Sequence, residues 1–273
     1  MTAEAPIGVF DSGIGGLTVV RELVRHLPLE SILYFGDTAR VPYGSKSADT
    51  VRRYAREACG FLLSREVKLV VVACNTATAH AEETLRRLLP IPVIGVIEPG
   101  ARAAVAATRR GRIGVIGTTG TIGSGAYDLA VRRKLADARV YAQPCPLFVP
   151  LVEEGLADHA AARLIAHDYL EPLREMDIDV IVLGCTHYPL LQPLVRAVMG
   201  DGVTIVDSAL ETARDVARLL ADANLLRQGD APARYSFTAS DAPIRFRDVA
   251  RTFLGDLVKT VERVDVEGYG RAA

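Results

Sequence analysis

Short aliphatic runs alternate along the chain with longer segments in which apolar residues recur at helical spacing. The helical pattern is clearest at residues 17–27, 50–63 and 160–175. The strand-like runs occupy residues 7–10, 31–35, 69–73, 93–97, 112–116, 139–143, 180–183 and 203–206. This alternation is typical of βαβ units with right-handed crossovers, and it predicts an α/β protein with mainly parallel sheets flanked by helices.

A faint internal repeat divides the chain into two similar halves. The run at 7–10 leads into a glycine turn at 11–16, and the run at 112–116 leads into a second turn at 117–121. A later run in each half is followed directly by a cysteine, which is Cys74 in the first half and Cys185 in the second. The repeat predicts two pseudo-symmetric domains whose turns and cysteines face one another across a cleft.

Breaks in the pattern predict where the chain passes between these domains. A Glu-Pro-Gly segment at 98–100 interrupts the strand pattern, so we expect the chain to enter the second domain there. We expect it to return near residues 207–208, after which a strand-like run at 234–238 completes the first domain, and the tail from 267 to 273 frays. The predicted domains are residues 1–98 with 208–273, and residues 99–207.

Composition narrows the class of protein. The chain has 273 residues, of which 49% are hydrophobic, so it can bury substantial cores. A net charge of −1 without a basic stripe argues against a nucleic-acid partner and suits a small polar substrate. Neither a signal segment nor an apolar stretch long enough to cross a bilayer is present in the sequence, so we expect a cytoplasmic protein with no membrane partner.

The four cysteines are too few and too scattered for a disulfide framework. Cys59 lies on an apolar helical stripe and is interpreted as core packing, and Cys145 is assigned no function. Cys74 and Cys185 each follow a predicted buried parallel strand, at the carboxyl end where open α/β sheets build ligand sites. Each also precedes a predicted helix start, which would help to stabilise a thiolate.

Two thiols in equivalent places suggest a paired acid and base. A reaction that removes a proton from one face of a carbon and returns one to the other face needs two such groups, and that reaction is racemisation. A thiol with an ordinary pKa of about 8.5 can act as a base in its thiolate form and as an acid in its protonated form close to neutral pH.

Other functions use the same residue types. A zinc site could combine Cys74 and Cys185 with His80 and His187, although the sequence has no Cys-x-x-Cys or His-x-x-x-His pair that would pre-form it. A cysteine hydrolase could pair Cys185 with His187, which would leave the second cysteine unexplained. A non-catalytic amino-acid-binding protein could also use two domains around a cleft.

Two loops are candidates for holding a substrate. The turn at 11–16 lacks the third glycine of a dinucleotide-binding fingerprint, because Thr18 occupies that position, but its backbone N–H groups and the Ser12 hydroxyl suit an anion. The polar loop at 37–46 follows the second strand, and its Tyr43-Gly44 backbone can approach a ligand closely.

Four segments together resemble the glutamate racemases, a branch of the aspartate/glutamate racemase superfamily. They are residues 10–18, 37–44, 73–77 and 184–191, and they occur in the family's order over nearly the whole chain. The resemblance implies cofactor-independent interconversion of L- and D-glutamate, with no bound metal, to supply D-glutamate for peptidoglycan synthesis and so for cell-wall biogenesis and cell shape. A racemase of the same superfamily acting on aspartate or a hydantoin is the nearest alternative.

The resemblance also implies roles for individual residues. Cys74 and Cys185 are similar to the two catalytic thiols, the first acting on D-glutamate and the second on L-glutamate, while Asp11, Glu153 and His187 match groups that assist them. The positions that match substrate-binding residues are Asp11, Ser12, Tyr43, Gly44, Asn75, Thr76, Thr118, Thr121, Thr186 and His187. Oligomeric state varies within the family, and a homodimer is one arrangement that the resemblance allows.

Overall fold

A computed structural model describes residues 2–229 and 231–271 of the chain. Met1, Asp230, Ala272 and Ala273, which the sequence assigns to the first domain, lie outside the described residues. The strands are β1 (Ile7–Asp11), β2 (Ile32–Gly36), β3 (Leu69–Val72), β4 (Val93–Gly95), β5 (Arg112–Gly117), β6 (Arg139–Pro144), β7 (Val180–Gly184), β8 (Thr204–Asp207), β9 (Tyr235–Ala239) and β10 (Glu262–Arg263).

The helices follow most of the strands. They are α1 (Leu17–His26), α2 (Ala48–Ser64), α3 (Asn75–Leu88), α4 (Ile97–Ala107), α5 (Thr119–Gly123), α6 (Ala126–Arg132), α7 (Phe148–Glu153), α8 (Ala160–Glu175), α9 (Gln192–Met199), α10 (Ser208–Asp222) and α11 (Pro243–Leu254). Short 3-10 turns occur at Tyr43–Ser45, Tyr188–Leu191, Gly255–Leu257 and Tyr269–Arg271.

The described strands form two sheets. The first has the order β10-β9-β2-β1-β3-β4 and the second the order β6-β5-β7-β8. Every strand pairing in this part of the chain is parallel, which confirms the α/β class. The order β2-β1-β3-β4 recurs as β6-β5-β7-β8, so the internal repeat seen in the sequence corresponds to a repeated strand order.

Aliphatic strands buried on both faces explain the parallel sheets. β1, β3 and β7 are buried along their whole length, and helices cover them on each side. The first sheet separates two apolar clusters, one under α1, α10 and α11 and the other under α2 and α3. Cys59 is fully buried in the second of these clusters, which confirms its interpretation as core packing.

Two local expectations were wrong, and one short strand was not predicted. The strand expected at 93–97 ends at Gly95, and Pro99 lies in the first turn of α4, where its missing N–H leaves no helical hydrogen bond unmade. Strand β10 is two exposed residues long, so no apolar pattern signals it. The tail is not frayed as far as Arg271, because the Tyr269 ring packs edge-on against Phe61 at 5.8 Å.

Candidate active site

The carboxyl ends of neighbouring strands bring the predicted residues together. β1 and β3 are paired, so Asp11 at the end of β1 and Cys74 just after β3 meet at one edge of the first sheet. β5 and β7 are paired in the same way, so Thr118 and Cys185 meet at the edge of the second sheet. Each sheet therefore supplies one thiol from an equivalent position.

Cys74 caps the N-terminus of α3. Its sulfur accepts a hydrogen bond from the Ala77 N–H at 3.5 Å and lies 3.5 Å from the Ser12 hydroxyl. Burial raises the pKa of the Cys74 thiol to about 12, and the nearby Asp11 carboxylate acts in the same direction. Cys74 is therefore a protonated thiol at neutral pH, and the ordinary pKa assumed from the sequence does not hold.

Asp11 is completely buried beside this thiol. Its Oδ2 accepts from the Gly13 N–H at 2.9 Å, whereas Oδ1 has no partner within residues 2–229 and 231–271. Burial raises the pKa of Asp11, and the positive charge of His187 opposes that shift. Because His187 follows β7, the two sheets influence each other electrostatically at this point.

Cys185 has a histidine as its polar neighbour instead of a long helix start. Its sulfur lies 3.9 Å from Nδ1 of His187, and residues Tyr188–Leu191 form only a 3-10 turn before α9 begins. The expectation of an equivalent helix start at both thiols was therefore wrong for Cys185, because Pro189 and the turn displace the helix by several residues.

Glu153 anchors the other side of the same imidazole. Its Oε1 lies 3.0 Å from Nε2 of His187, which is buried. Burial disfavours the charged imidazole, but the interactions with Cys185 and Glu153 outweigh it and raise the pKa of His187 to about 10. His187 is therefore a proton donor beside Cys185 at neutral pH.

Three threonine hydroxyls join the two halves. Thr76 Oγ1 from α3 lies 2.9 Å from Thr118 Oγ1 and 3.1 Å from Thr121 Oγ1. The Thr118 hydroxyl donates to Thr121 at 3.1 Å, which closes the triangle. The hydroxyl triangle thus places three predicted substrate-binding residues in one cluster.

Asn75, the residue after Cys74, is also held from the second half. Its Oδ1 accepts a hydrogen bond from the Tyr127 hydroxyl at 2.7 Å. Tyr127 was missed by the sequence analysis, because it lies in a short helix, α6, whose contact with Asn75 spans 52 positions.

The loop after β2 packs against the second half. Tyr43 is buried, and its hydroxyl donates to Asp37 Oδ2 at 2.5 Å. A Cβ at Gly44 would lie 2.6 Å from Thr118 Cβ, so only glycine allows this approach. Asp37 was not predicted as a site residue; it also binds Arg40 Nε at 2.7 Å and so fixes the loop from inside.

The last predicted residue, Thr186, faces the first glycine turn. Its carbonyl accepts from the Thr18 hydroxyl at 3.3 Å. A Cβ at Gly15 would lie 2.3 Å from Thr186 Oγ1 and 2.6 Å from His187 Nδ1, so the turn touches the Cys185 side directly.

A metal-binding arrangement of side chains is not seen in the described part of the chain. Residues 2–229 and 231–271 contain no group of three or more His, Cys, Asp and Glu side chains placed to hold a metal ion. Nε2 of His80 instead lies 3.2 Å from the Gly120 carbonyl, so the zinc alternative gains no support.

The fold and the site define a two-sheet α/β protein with a pair of buried thiols at facing strand ends. The chain belongs to the family described as Asp/Glu/Hydantoin racemase, whose sequence profile matches residues 7–216. It is 53% identical to a glutamate racemase of Geobacter metallireducens over 96% of this chain and 97% of that protein.

Solved structures agree with this assignment. A glutamate racemase isoform from Bacillus anthracis superimposes with a TM-score of 0.93 at 42% identity, over 96% of this chain and 98% of that one. A Francisella tularensis glutamate racemase in complex with D-glutamate gives a TM-score of 0.92 at 38% identity, over 98% and 100% of the two chains. Among the described residues, no helix has the length and apolar character needed to span a membrane.

Proposed function

We propose that the protein is a glutamate racemase that interconverts L- and D-glutamate with two thiols and no cofactor. The observation that carries the proposal is the pair of buried cysteines. Each follows a strand of a different sheet, and each has polar side chains beside it. Cys74 lies beside Ser12 and Asp11, and Cys185 lies beside His187, which Glu153 supports. High identity to glutamate racemases over nearly the full chain supports glutamate as the substrate over aspartate or a hydantoin.

The proposed reaction moves one proton off the substrate and another on. The Cys185 thiolate takes the α-proton of L-glutamate, and the electron pair of the broken C–H bond delocalises into the adjacent carboxylate. The Cys74 thiol then gives its proton to the opposite face of the α-carbon, which forms D-glutamate. In the reverse direction the two cysteines exchange roles, so each turnover leaves the protonation states of the two thiols exchanged.

The proton positions in the free protein suit the L to D direction. Burial and Asp11 raise the pKa of Cys74 to about 12, so this residue holds a proton to give. Protonated His187 donates a hydrogen bond to the Cys185 thiolate, and the Glu153 carboxylate stabilises the imidazolium charge. After each turnover the proton taken up by Cys185 leaves to solvent and Cys74 takes up another, which restores the starting states. No pyridoxal electron sink takes part, so the developing charge must be stabilised by donors of the protein.

The proposed anchors for the substrate surround the thiols. The hydroxyl triangle of Thr76, Thr118 and Thr121, together with the Asn75 amide, offers neutral donors for carboxylates without adding a net positive charge. Ser12, Tyr43, Gly44 and Thr186 complete the predicted set. Closing the cleft between the proposed domains, residues 1–98 with 208–273 and residues 99–207, would exclude water during the reaction.

The proposed role is to supply D-glutamate for peptidoglycan synthesis in the bacterial cytoplasm, where a homodimer is the proposed assembly.

Incubation of L-glutamate with the purified protein in deuterated buffer tests the proposed function. With chelator present and no cofactor added, circular dichroism should decay to zero and mass spectrometry should find one deuterium at the α-carbon. A Cys74→Ala/Cys185→Ala double variant, purified in parallel, should leave both readouts at background. An unchanged signal without deuterium uptake, or turnover of aspartate in place of glutamate, would overturn the proposal.

A further inference from the structure

Tyr127 makes a hydrogen bond from the second half of the molecule to the residue next to Cys74. Its hydroxyl, carried by α6, donates to Oδ1 of Asn75 at 2.7 Å. Both side chains are only 3% exposed, so water does not compete for this hydrogen bond. The interaction therefore controls how the Asn75 amide is turned.

The other end of the amide is left as an unused donor. Nδ2 of Asn75 is buried and has no hydrogen-bond partner in the described ranges, 2–229 and 231–271. A buried donor without a partner is unfavourable and uncommon in native proteins, and it often indicates a functional site. Asn75 begins α3 directly after Cys74, so the residue that carries this donor is next in sequence to the proposed catalytic thiol.

Close packing holds the Tyr127 ring in one place. A Cβ at Gly184, the residue before Cys185, would lie 3.1 Å from Cε2 of Tyr127, and a Cβ at Gly100 would lie 3.3 Å from its hydroxyl. Burial raises the pKa of Tyr127 well above its ordinary value, and a hydrogen bond with the Ser208 hydroxyl opposes part of that shift. The phenol is therefore a protonated donor at every pH at which the protein would work.

The opposite amide orientation would be unfavourable for an anionic substrate. If the amide were turned by 180°, its NH2 group would bond to Tyr127 and its carbonyl oxygen would take the place of the unused donor. A carboxylate at that place would then meet an acceptor instead of a donor. In that flipped orientation the buried O–H of Tyr127 would lose its acceptor, so Tyr127 favours the orientation that turns Oδ1 toward it.

We propose that Tyr127 is a positioning residue for substrate binding, which holds the Asn75 amide so that its NH2 group donates to a carboxylate of bound glutamate. The inference rests on the proposed racemase function and adds to it a residue that does not touch the substrate. It makes Tyr127 act only through Asn75.

A double-mutant cycle tests this dependence. We expect Tyr127→Phe to lower kcat/KM for glutamate by about tenfold, the typical effect of losing one buried hydrogen bond, mainly through a higher KM. Asn75→Ala should lower it at least as much. In the Asn75→Ala background, Tyr127→Phe should cause no further loss, because there is no amide left to orient.

Tyr188→Phe is the matched control for the loss of a buried tyrosine hydroxyl. The Tyr188 hydroxyl donates to the Cys145 carbonyl at 2.8 Å and does not reach Asn75, so whatever its effect, it should be the same with and without Asn75→Ala. Thermal unfolding of each variant confirms that the native fold is retained.

The outcomes separate this inference from the proposed function. A native protein that does not exchange the α-proton of glutamate removes the proposed function itself. If the native protein racemises glutamate but Tyr127→Phe costs the same factor in both backgrounds, or costs nothing in either, Tyr127 does not act through Asn75 and the inference is wrong.

Discussion

Oε1 of Glu153 lies 3.0 Å from Nε2 of His187, and the opposite ring nitrogen faces the sulfur of Cys185. The two residues come from different elements, since Glu153 ends α7 and His187 follows β7. The Glu153 side chain is 30% exposed, whereas that of His187 is 5% exposed. Together with Cys185, this partly solvated carboxylate raises the pKa of the buried imidazole, which leads to two predictions about pH.

The first prediction concerns the pH profile of activity in Glu153→Gln. The amide keeps the shape of the side chain but removes its charge, so the pKa of His187 should fall from about 10 toward its ordinary value of 6.5. His187 of the variant then loses its proton at a lower pH than in the native protein. The descending limb of the kcat/KM profile should therefore move toward neutral pH. Rate measurements with L-glutamate from pH 6 to 10 check this shift.

Glu154→Gln is the control for that profile. Glu154 is the next residue, lies 3.1 Å from Arg245 on the surface and does not contact His187. Its profile should match the native one, and an equal shift in both variants would assign the effect to general surface charge.

The second prediction concerns stability. The folded pKa of His187 is raised, so its contribution to the free energy of unfolding is fully present below pH 6.5 and is lost as the pH rises through about 10. The excess stability of the native protein over Glu153→Gln should therefore shrink across this window. Urea unfolding of both proteins at pH 6.5, 8 and 10 measures the difference, and a constant difference would show that His187 does not titrate there.

The third prediction concerns the two thiols. Cys74→Ser and Cys185→Ser should each lower racemisation by about 10³-fold, because a serine hydroxyl is a far weaker acid than a thiol. Deuterium exchange should fall more for D-glutamate in Cys74→Ser and more for L-glutamate in Cys185→Ser. Cys59→Ala, which changes a thiol in the core under α2, should keep near-native activity. Equal loss of exchange from both enantiomers in both serine variants would contradict the assignment of one thiol to each enantiomer.

The fourth prediction compares two threonines of α3. Thr76→Val removes the hydroxyl that joins Thr118 and Thr121, and we expect it to raise KM for glutamate by about tenfold. Thr78 is the matched control, because its buried hydroxyl donates to the Val72 carbonyl at 2.9 Å, away from the triangle. Thr78→Val should reduce stability by about 1 kcal/mol and leave KM near the native value. Steady-state kinetics and urea unfolding of both variants separate binding from folding.

The parallel sheets could be predicted from the sequence because buried strands in this class are continuous aliphatic runs. The same runs located Cys74 and Cys185, since a strand end is visible as the point where aliphatic residues stop. Pattern alone could not place Pro99 within α4, because proline in a first helical turn and proline in a linker look alike.

Packing contacts account for the rest of the site. The hydrogen bond from Tyr127 to Asn75 spans 52 positions and depends on how the two halves pack. The hydrogen bond from Tyr43 to Asp37 lies within one loop and depends on how that loop folds, and no local motif encodes either contact. The raised pKa of Cys74 could not be predicted from the sequence either, because it follows from burial beside Asp11 and not from the residues adjacent in sequence.

The fifth prediction tests how closely the two halves must approach at Gly15. A methyl group there would lie 2.3 Å from Thr186 Oγ1 and 2.6 Å from Nδ1 of His187, distances that real atoms cannot keep. Gly15→Ala must therefore push the Thr186 and His187 side chains away from the first glycine turn. A displacement of about 1 Å at reacting groups can cost on the order of 10²-fold in rate, so we expect kcat/KM to fall by about that factor.

Gly202→Ala provides the matched substitution. Gly202 has nothing within 4 Å of the added methyl group and lies just before β8, so its variant should retain native kinetics. The nearest atoms to the methyl group of Gly15→Ala all belong to Thr186 and His187 of the second half, and the thermal unfolding of this variant should remain cooperative. Near-native kcat/KM in Gly15→Ala would mean that His187 can move without loss of rate, and it would contradict a fixed geometry between this imidazole and Cys185.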